Sequence, residues 1–169
     1  IREYFGDGSQ FGMSIRYYEE KEPLGTAGSF YYLKEMVSGE DFLMMSGDLM
    51  FDIDFERMLR FHREKEAAAT LFVHPNGHPF DSDLLVLDEE ERVIRFDSKH
   101  NTRDYWYENC VNAGIFVFSR RIFDYVPEPV KRNLENDVIQ AMVQNGEAVY
   151  GYRSPEYVKD VGTMERIAQ

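Results

Sequence analysis

The fold is decided by the stretch Phe42-Leu43-Met44-Met45-Ser46-Gly47-Asp48. Its first five residues are apolar or small and show no polar alternation, which predicts a central strand that is buried on both faces. Gly47 allows the chain to turn after this strand, so that Asp48 stands at the carboxyl edge of the sheet. Open α/β sheets bind their ligands at that edge. The stretch therefore predicts an α/β protein with a functional carboxylate at Asp48.

The segments on either side of this strand have the length and periodicity of helices. Residues 26–37 start with small side chains and continue with apolar ones at helical spacing. Asp54 can cap a second helix that runs to about residue 65, and residues 69–73 form the next apolar run. This alternation predicts a Rossmann-like mixed sheet, mostly parallel, with helices on both faces.

The second half of the chain adds shorter apolar runs. Residues 84–87 and 93–96 predict a hairpin, because they flank an acidic turn. Residues 111–118 form a longer strand that is interrupted by Gly114, at a point where a backbone or a ligand can come close. No repeat, low-complexity tract or linker divides the sequence, so we expect one domain spanning residues 1–169.

The charge of the chain excludes one class of partner. Its formal net charge is −12, and no cluster of Lys and Arg is visible. Proteins that bind nucleic acids hold the phosphate backbone with such clusters, so we expect no nucleic-acid partner. An acidic protein can still bind a phosphorylated small molecule when a divalent cation or a local lysine offsets the repulsion. The charge therefore directs attention to magnesium.

Cysteine content and hydropathy indicate the setting of the protein. Cys110 is the single cysteine, so no intrachain disulfide can form, and no apolar run reaches the length of a membrane span. We expect a reducing, cytoplasmic setting and no membrane partner. The chain opens with Ile1-Arg2-Glu3-Tyr4-Phe5, which resembles the end of a helix or the approach to a strand, so we also expect an upstream segment.

Asp160 repeats the arrangement at Asp48. It follows the strand-like Val158-Lys159 and precedes Val161-Gly162-Thr163, so a carboxylate at a strand end is here followed by a glycine and a helix start. Two carboxylates placed in this way can share one Mg²⁺ with phosphate oxygens and water. The alternative for Asp48 is local, since aspartate often bonds to nearby backbone amides in loops.

Residues 23–28, with the sequence Pro-Leu-Gly-Thr-Ala-Gly, put two glycines where a loop enters a helix. Backbone amides at a helix start suit an anionic or polar ligand. The alternative is a tight turn that serves the packing of the helix on the sheet.

Five motifs then occur in a fixed order from about residue 6 to the end of the chain. They are Leu24-Gly25-Thr26-Ala27-Gly28, Ser46-Gly47-Asp48, Val111-Asn112-Ala113-Gly114-Ile115-Phe116-Val117-Phe118, Leu134-Glu135-Asn136-Asp137 and Lys159-Asp160-Val161-Gly162-Thr163. The ordered set resembles the sugar-phosphate nucleotidyltransferases, the family that contains mannose-1-phosphate guanylyltransferases and glucose-1-phosphate thymidylyltransferases. The resemblance implies the nucleotide-diphospho-sugar transferase fold, here without its first strand and glycine-rich loop.

The resemblance also implies which residues form the site. Asp48 and Asp160 would hold Mg²⁺, and Lys99 stands where such proteins often place a lysine on the sugar phosphate. The implied substrate-binding residues are Gly25 and Thr26 beside the nucleobase and sugar, Gly47, and Asn112, Gly114 and Glu135 on the sugar.

Two of these assignments have alternatives. Asp97-Ser98-Lys99-His100 replaces the family's usual glutamate-lysine-proline, and Lys99 could instead be a solvated surface lysine. Glu135 could instead help to cap a helix around Asn133.

The implied reaction is an attack by an oxygen of a sugar 1-phosphate on the α-phosphorus of a nucleoside triphosphate. It gives a nucleotide-sugar and pyrophosphate and needs no protein nucleophile, so Cys110 is interpreted as a packed thiol. The family's glycine-rich signature, which ends in threonine-arginine-leucine, does not occur in these residues. We therefore expect residues 1–169 alone to be inactive or nearly so.

Two other functions fit parts of the sequence. A metal-dependent glycosyltransferase would use Asp52 and Asp54 as its metal motif, although Asp54 also suits a helix cap. A non-catalytic domain that senses nucleotide-sugars would keep the sugar pocket without the triphosphate loop. The aromatic cluster Tyr105-Trp106-Tyr107 fits either a lid or a dimer surface, so the sequence leaves homo-oligomerisation open.

Overall fold

The computed structural model of the protein describes residues 1–168, apart from the side chains of Asp81 and Arg166. The strands are β1 (Asp41–Met45), β2 (Leu49–Asp52), β3 (Ala69–His74), β4 (Leu84–Leu87), β5 (Val93–Asp97), β6 (Val111–Ser119), β7 (Val149–Arg153) and β8 (Tyr157–Asp160). The α-helices are α1 (Arg2–Phe5), α2 (Phe30–Leu33), α3 (Phe55–Glu64), α4 (Gln140–Gln144) and α5 (Met164–Ile167). Short 3₁₀ helices lie at Ser9–Phe11, Pro79–Asp81 and Arg120–Tyr125, and Leu134–Ile139 is π-helical.

Four strands form the central sheet in the order β1-β6-β3-β7. β3 and β7 are parallel, whereas β6 runs antiparallel to both β1 and β3. Three of the four strands therefore share one direction, and β6 is inserted between two of them. The predicted mixed sheet with mostly parallel strands is confirmed.

Both faces of this sheet are covered, as predicted. Successive side chains of a strand point to opposite faces. Phe72 accordingly belongs to the apolar cluster around Met58 of α3, whereas its neighbour Leu71 belongs to the cluster that contains Phe30 of α2. Three of these four residues are fully buried, and the fourth, Phe30, is 4% exposed. Asp54 caps α3 by accepting a hydrogen bond from the Arg57 amide at 3.0 Å, which confirms the predicted cap.

The position of β1 corrects the prediction of a buried central strand at residues 42–46. Within residues 1–168, β1 lies at the edge of the sheet and pairs with β6 alone. Its side chains are half-buried or exposed, and Met45 is 37% exposed. An apolar run indicates that its side chains are covered from water, but it does not specify which part of the protein covers them. Here the ring of Phe42 packs on those of Phe30 and Phe123 rather than beneath a second neighbouring strand.

The prediction of one helix over residues 26–37 is also wrong. Only Phe30–Leu33 is α-helical, and turns precede and follow it. The cause lies before the helix, where Gly25 forms an isolated parallel bridge with Arg132 and the Ala27 amide donates to the Arg132 carbonyl at 3.1 Å. These contacts hold the segment against the backbone at Arg132 and leave fewer residues for the helix.

Two smaller sheets accompany the central one. β4 and β5 form the predicted hairpin. β2 and β8 form an antiparallel pair that was not predicted, because β2 is only four residues long and lies between a turn at residues 47–48 and the start of α3. This pair places Leu49 opposite Asp160, and so sets the geometry of the site.

Candidate active site

An open cleft of about 990 Å³ lies where the ends of these strands meet. Six of the residues implied by the sequence line it: Asp48, Lys99, Asn112, Gly114, Glu135 and Asp160. Its wall also includes residues from the loop after β3, the hairpin and β8. The cleft therefore gathers residues that are far apart in the sequence.

The carboxylates of Asp48 and Asp160 converge on Gly162. The pairing of β2 with β8 brings their backbones together, and the Val161 amide donates to the Asp48 carbonyl at 2.8 Å. The Gly162 amide in turn donates to Oδ1 of Asp160 at 2.8 Å. A Cβ on Gly162 would lie 2.7 Å from Oδ2 of Asp48 and 3.1 Å from Oδ1 of Asp160. Oxygens of both side chains thus face one small space, which is kept open by a glycine.

This space suits a hard divalent cation in its donor chemistry. Mg²⁺ is usually bound by one or two carboxylates, and substrate phosphates and water fill its remaining positions. Among the described residues, no group of three or more His, Cys, Asp and Glu side chains could hold a metal ion by itself. Any metal at the exposed Asp48 and Asp160 would therefore need further ligands from substrate or solvent.

Glu135 faces the cleft because other residues cap its helical segment. The side chain of Asn133 accepts from the Asn136 amide at 2.7 Å, and Asp137 accepts from the Asn133 amide at 2.6 Å. This leaves the Glu135 carboxylate to accept a hydrogen bond from Nδ2 of Asn112 at 3.2 Å. Helix capping, the alternative role for Glu135, is thus carried out by its neighbours.

The environment of Glu135 favours its neutral form. Burial raises the pKa of this carboxyl above its ordinary value, and the negative charge of Asp83 adds to the effect. Hydrogen bonds from its own amide and from Asn112 oppose the rise only in part. A half-buried carboxyl in a polar cleft can exchange hydrogen bonds with sugar hydroxyls.

Asn112 and Gly114 lie at an irregularity in the central sheet. Oδ1 of Asn112 accepts from the Gly114 amide at 3.1 Å, and the register between β3 and β6 shifts at this point. Gly114 has φ +77°, and a Cβ there would lie 2.9 Å from Oγ of Ser46. The Ser46 amide donates to the Gly114 carbonyl at 2.9 Å. Gly114 thereby holds the end of β1 close to β6, directly before Asp48.

Lys99 follows the hairpin by two residues, and it lines the same cleft as Asp48 and Asp160. It is exposed, and its amide donates to Oδ1 of Asp83 at 2.7 Å. Lys159, next to Asp160, lines the cleft as well. These two ammonium groups provide positive charge in a cleft that is otherwise rich in carboxylates.

Gly25, Thr26 and Gly47 are not among the residues that line the cleft. Gly25 has φ +74°, and a Cβ there would lie 2.3 Å from the Arg132 carbonyl oxygen, so its packing alone requires glycine. Oγ1 of Thr26 accepts from the Leu134 amide at 2.8 Å and thus anchors the segment that carries Glu135. The implied contacts of these three residues with substrate stay predictions.

Sequence reasoning missed the loop that follows β3. The cleft is also lined by His74, Asn76 and His78. A hydrogen bond from the backbone amide of Asn76 to Oδ1 of Asn109, at 3.0 Å, holds this loop in place. Burial lowers the pKa of His74, so this ring is biased towards its neutral form. The available signal was the polar run directly after an inner strand, at the edge where α/β sheets bind ligands.

The family model described as nucleotidyl transferase matches residues 1–169. The chain belongs to this family. Mannose-1-phosphate guanylyltransferase from Mycobacterium tuberculosis is 34% identical to it over 162 residues, which are 95% of this chain and 44% of that protein. D-glycero-alpha-D-manno-heptose 1-phosphate guanylyltransferase from Aneurinibacillus thermoaerophilus is 30% identical over 162 residues, 96% of this chain and 67% of that protein. The chain thus spans less than half the length of the first of these relatives.

The fold of this nucleotidyl transferase family member is shared with solved structures. A Bacillus anthracis protein, assigned as a glucose-1-phosphate thymidylyltransferase and solved with sucrose, superimposes with a TM-score of 0.82. The match covers 99% of this chain and 68% of that chain, at 15% identity. The resemblance to the family and the predicted fold class are confirmed. Among residues 1–168, no helix is both long and apolar enough to cross a membrane.

Proposed function

We propose that the full-length protein transfers a nucleotidyl group from a nucleoside triphosphate to a sugar 1-phosphate. The observation that carries the proposal is the convergence of Asp48 and Asp160 on Gly162, in a cleft that also contains Lys99 and Glu135. This combination supplies carboxylates for a metal, a cation for a phosphate and a polar group for sugar hydroxyls. Membership of the family supports the same reaction.

The chemistry is an exchange of phosphate partners. An oxygen of the sugar 1-phosphate forms a bond with the α-phosphorus, and the bond from that phosphorus to the bridging oxygen breaks. Pyrophosphate leaves with the bonding electron pair, so no protein nucleophile is required. Because both reactants are anions, holding them in line and neutralising their charge account for most of the catalysis.

The residues of the chain divide this work between them. Asp48 and Asp160 would hold Mg²⁺, which when bound offsets negative charge on the phosphates and helps to orient them. Lys99 would attract the phosphate of the sugar 1-phosphate as a compact positive charge. Glu135 and Asn112, already joined at 3.2 Å, would bind sugar hydroxyls.

The test is an assay of pyrophosphate release by the full-length protein across nucleoside triphosphates and sugar 1-phosphates. GTP with mannose 1-phosphate is the first pair to test, since both curated relatives above are guanylyltransferases. We expect one pair to be turned over with Mg²⁺ present. Asp52→Asn is the matched carboxylate control, because Asp52 lies on β2 opposite Tyr157 and outside the cleft lining.

Each alternative function makes a different prediction in the same assay. A glycosyltransferase using Asp52 and Asp54 would release no pyrophosphate with any pair, and its transfer of sugar from a nucleotide-sugar to an acceptor would be lost in Asp52→Asn. The present geometry opposes it, because Asp54 already caps α3. A sensing domain would bind a nucleotide-sugar but release no pyrophosphate with any pair, and that result would overturn the proposed enzyme activity.

A further inference from the structure

A buried carboxylate lies two residues before Lys99 and takes no part in the proposed chemistry. Asp97, the last residue of β5, is 1% exposed. It accepts hydrogen bonds from the Tyr105 hydroxyl at 2.6 Å, from Asn101 Nδ2 at 2.9 Å and from Arg103 Nε at 3.0 Å. Burial alone would raise the pKa of Asp97, but these hydrogen bonds outweigh it and hold the pKa below its ordinary value. Asp97 is therefore a buried, ionised anchor for the loop that begins at residue 98.

Arg103 links this anchor to a second loop. Its side chain is 5% exposed, and its guanidinium donates to the carbonyls of Pro79 at 2.9 Å and Ser82 at 2.7 Å. It also donates to the Asp97 carbonyl at 2.7 Å. A planar guanidinium presents its donors in a fixed fork, so these bonds set the distance between the two loops.

Both loops meet at Lys99. Asp83 directly follows residues 79–82, in which the carbonyls of Pro79 and Ser82 bond to Arg103. Its Oδ1 accepts a hydrogen bond from the Lys99 amide at 2.7 Å. Ser82, Asp83 and Lys99 all line the cleft. The contacts of Arg103 therefore fix the backbone on both sides of the hydrogen bond that positions Lys99.

We propose that the buried Asp97–Arg103 pair is a positioning device for Lys99, which directs its ammonium group to the phosphate of the sugar 1-phosphate. The assignment of that phosphate to Lys99 rests on the proposed function. A buried ion pair is often no more stabilising than apolar residues of similar size, so stability gives little reason to have one here. The pair also holds the carbonyls of Pro79 and Ser82 and the side chains of Asn101 and Tyr105 in one geometry. Because these groups belong to the two loops that meet at Lys99, the pair has a role at the cleft.

The experiment measures binding of α-D-mannose 1-phosphate to the full-length protein by calorimetry, together with steady-state kinetics. Arg103→Lys keeps the charge but loses the fork, and we expect it to raise Kd and KM for the sugar phosphate about tenfold. KM for the nucleoside triphosphate should change less than about twofold. Tyr105→Phe removes only the 2.6 Å bond to Asp97 and should show a smaller shift in the same direction. Tyr105→Phe also tests the inference if Arg103→Lys fails to fold.

Arg95→Gln is the matched control. Arg95 also approaches Asp97, at 3.5 Å, but its side chain is 47% exposed. Its loss removes a cation beside the same carboxylate without touching the contacts of Arg103. Sugar phosphate binding should stay within about twofold of the wild type.

A double variant separates positioning from general stability. If Arg103 acts through Lys99, then adding Arg103→Lys to Lys99→Met should weaken sugar phosphate binding by no more than about twofold further. Full additivity, or equal losses for sugar phosphate and nucleotide, would overturn the inference and leave the pair a structural one. Wild-type protein that binds mannose 1-phosphate but releases no pyrophosphate would instead contradict the proposed function alone.

Discussion

Adding one methyl group at Gly162 should disable the proposed metal site while the fold is retained. A Cβ at this position would lie 2.7 Å from Oδ2 of Asp48, whereas ordinary contact begins at 3.4 Å. The Asp48 carboxylate must therefore move by about 0.7 Å, and Oδ1 of Asp160, at 3.1 Å, by about half as much. Gly162 does not need glycine for its backbone, since its φ lies outside the left-handed region.

The consequences for activity and stability should therefore differ. Misplacing a catalytic group by about 1 Å can lower activity by about two orders of magnitude, so Gly162→Ala should lose roughly tenfold to a hundredfold in kcat/KM. The Mg²⁺ concentration for half-maximal rate should rise in parallel. The free energy of unfolding should be unchanged or higher by up to about 1 kcal/mol, because alanine restricts the unfolded chain. The assay is pyrophosphate release by the full-length protein at a series of Mg²⁺ concentrations, with urea unfolding alongside.

Gly77→Ala provides the control for Gly162→Ala. Gly77 also lines the cleft, but a Cβ there would meet no atom within 4 Å. Its Mg²⁺ dependence should match that of the wild type. The reasoning is refuted if Gly162→Ala keeps both wild-type kcat and wild-type Mg²⁺ dependence.

Three further predictions concern titrating groups. Because burial raises the pKa of Glu135, its ionised form is lost at a higher pH than for an ordinary glutamate. KM for the sugar 1-phosphate should thus rise more steeply between about pH 7 and 5 in the wild type than in Glu135→Gln, which keeps every other titrating group of the cleft; equal slopes would contradict this. Burial lowers the pKa of His62 even though Oδ1 of Asp41 lies 3.5 Å from its Nε2, so its contribution to stability is complete above about pH 6.5 and falls as the pH drops below that value. The wild type should accordingly unfold at a higher urea concentration than His62→Gln at pH 7, and this difference should shrink as the pH falls to 5. A difference that stays constant would contradict the prediction. Burial also raises the pKa of Cys110 to about 11, so iodoacetamide at pH 8 should modify the folded protein at least about a hundredfold more slowly than the unfolded one. Rapid modification without unfolding would show that this thiol is accessible.

The parts of the site that could be predicted are those with a local signature. Asp48 follows an apolar run and Gly47, and Asp160 follows the strand-like Val158-Lys159 and lies two residues before Gly162. A carboxylate at a strand end beside or near a glycine marks both as candidates. Their convergence had no local signature, because it depends on the pairing of β2 with β8 across more than a hundred residues of sequence. β2 is also too short to be recognised by its own pattern.

The two wrong predictions of secondary structure and strand position have a related cause. The apolar run of β1 shows that its side chains need cover, but an aromatic cluster with Phe30 and Phe123 meets this need as well as a second strand would. The helix predicted over residues 26–37 is shortened by the contacts of Gly25 and Ala27 with Arg132. In both cases a distant partner, invisible in the local pattern, overrides local propensity.

The central claim is that Asp48 and Asp160 act together in nucleotidyl transfer by holding one Mg²⁺. It is tested most directly by pyrophosphate release from full-length Asp48→Asn, Asp160→Asn and the double variant at saturating Mg²⁺. Each single variant should lose at least about a hundredfold in kcat/KM, and the double variant should be hardly worse, since both carboxylates would serve one ion. Undiminished turnover in both single variants would contradict it.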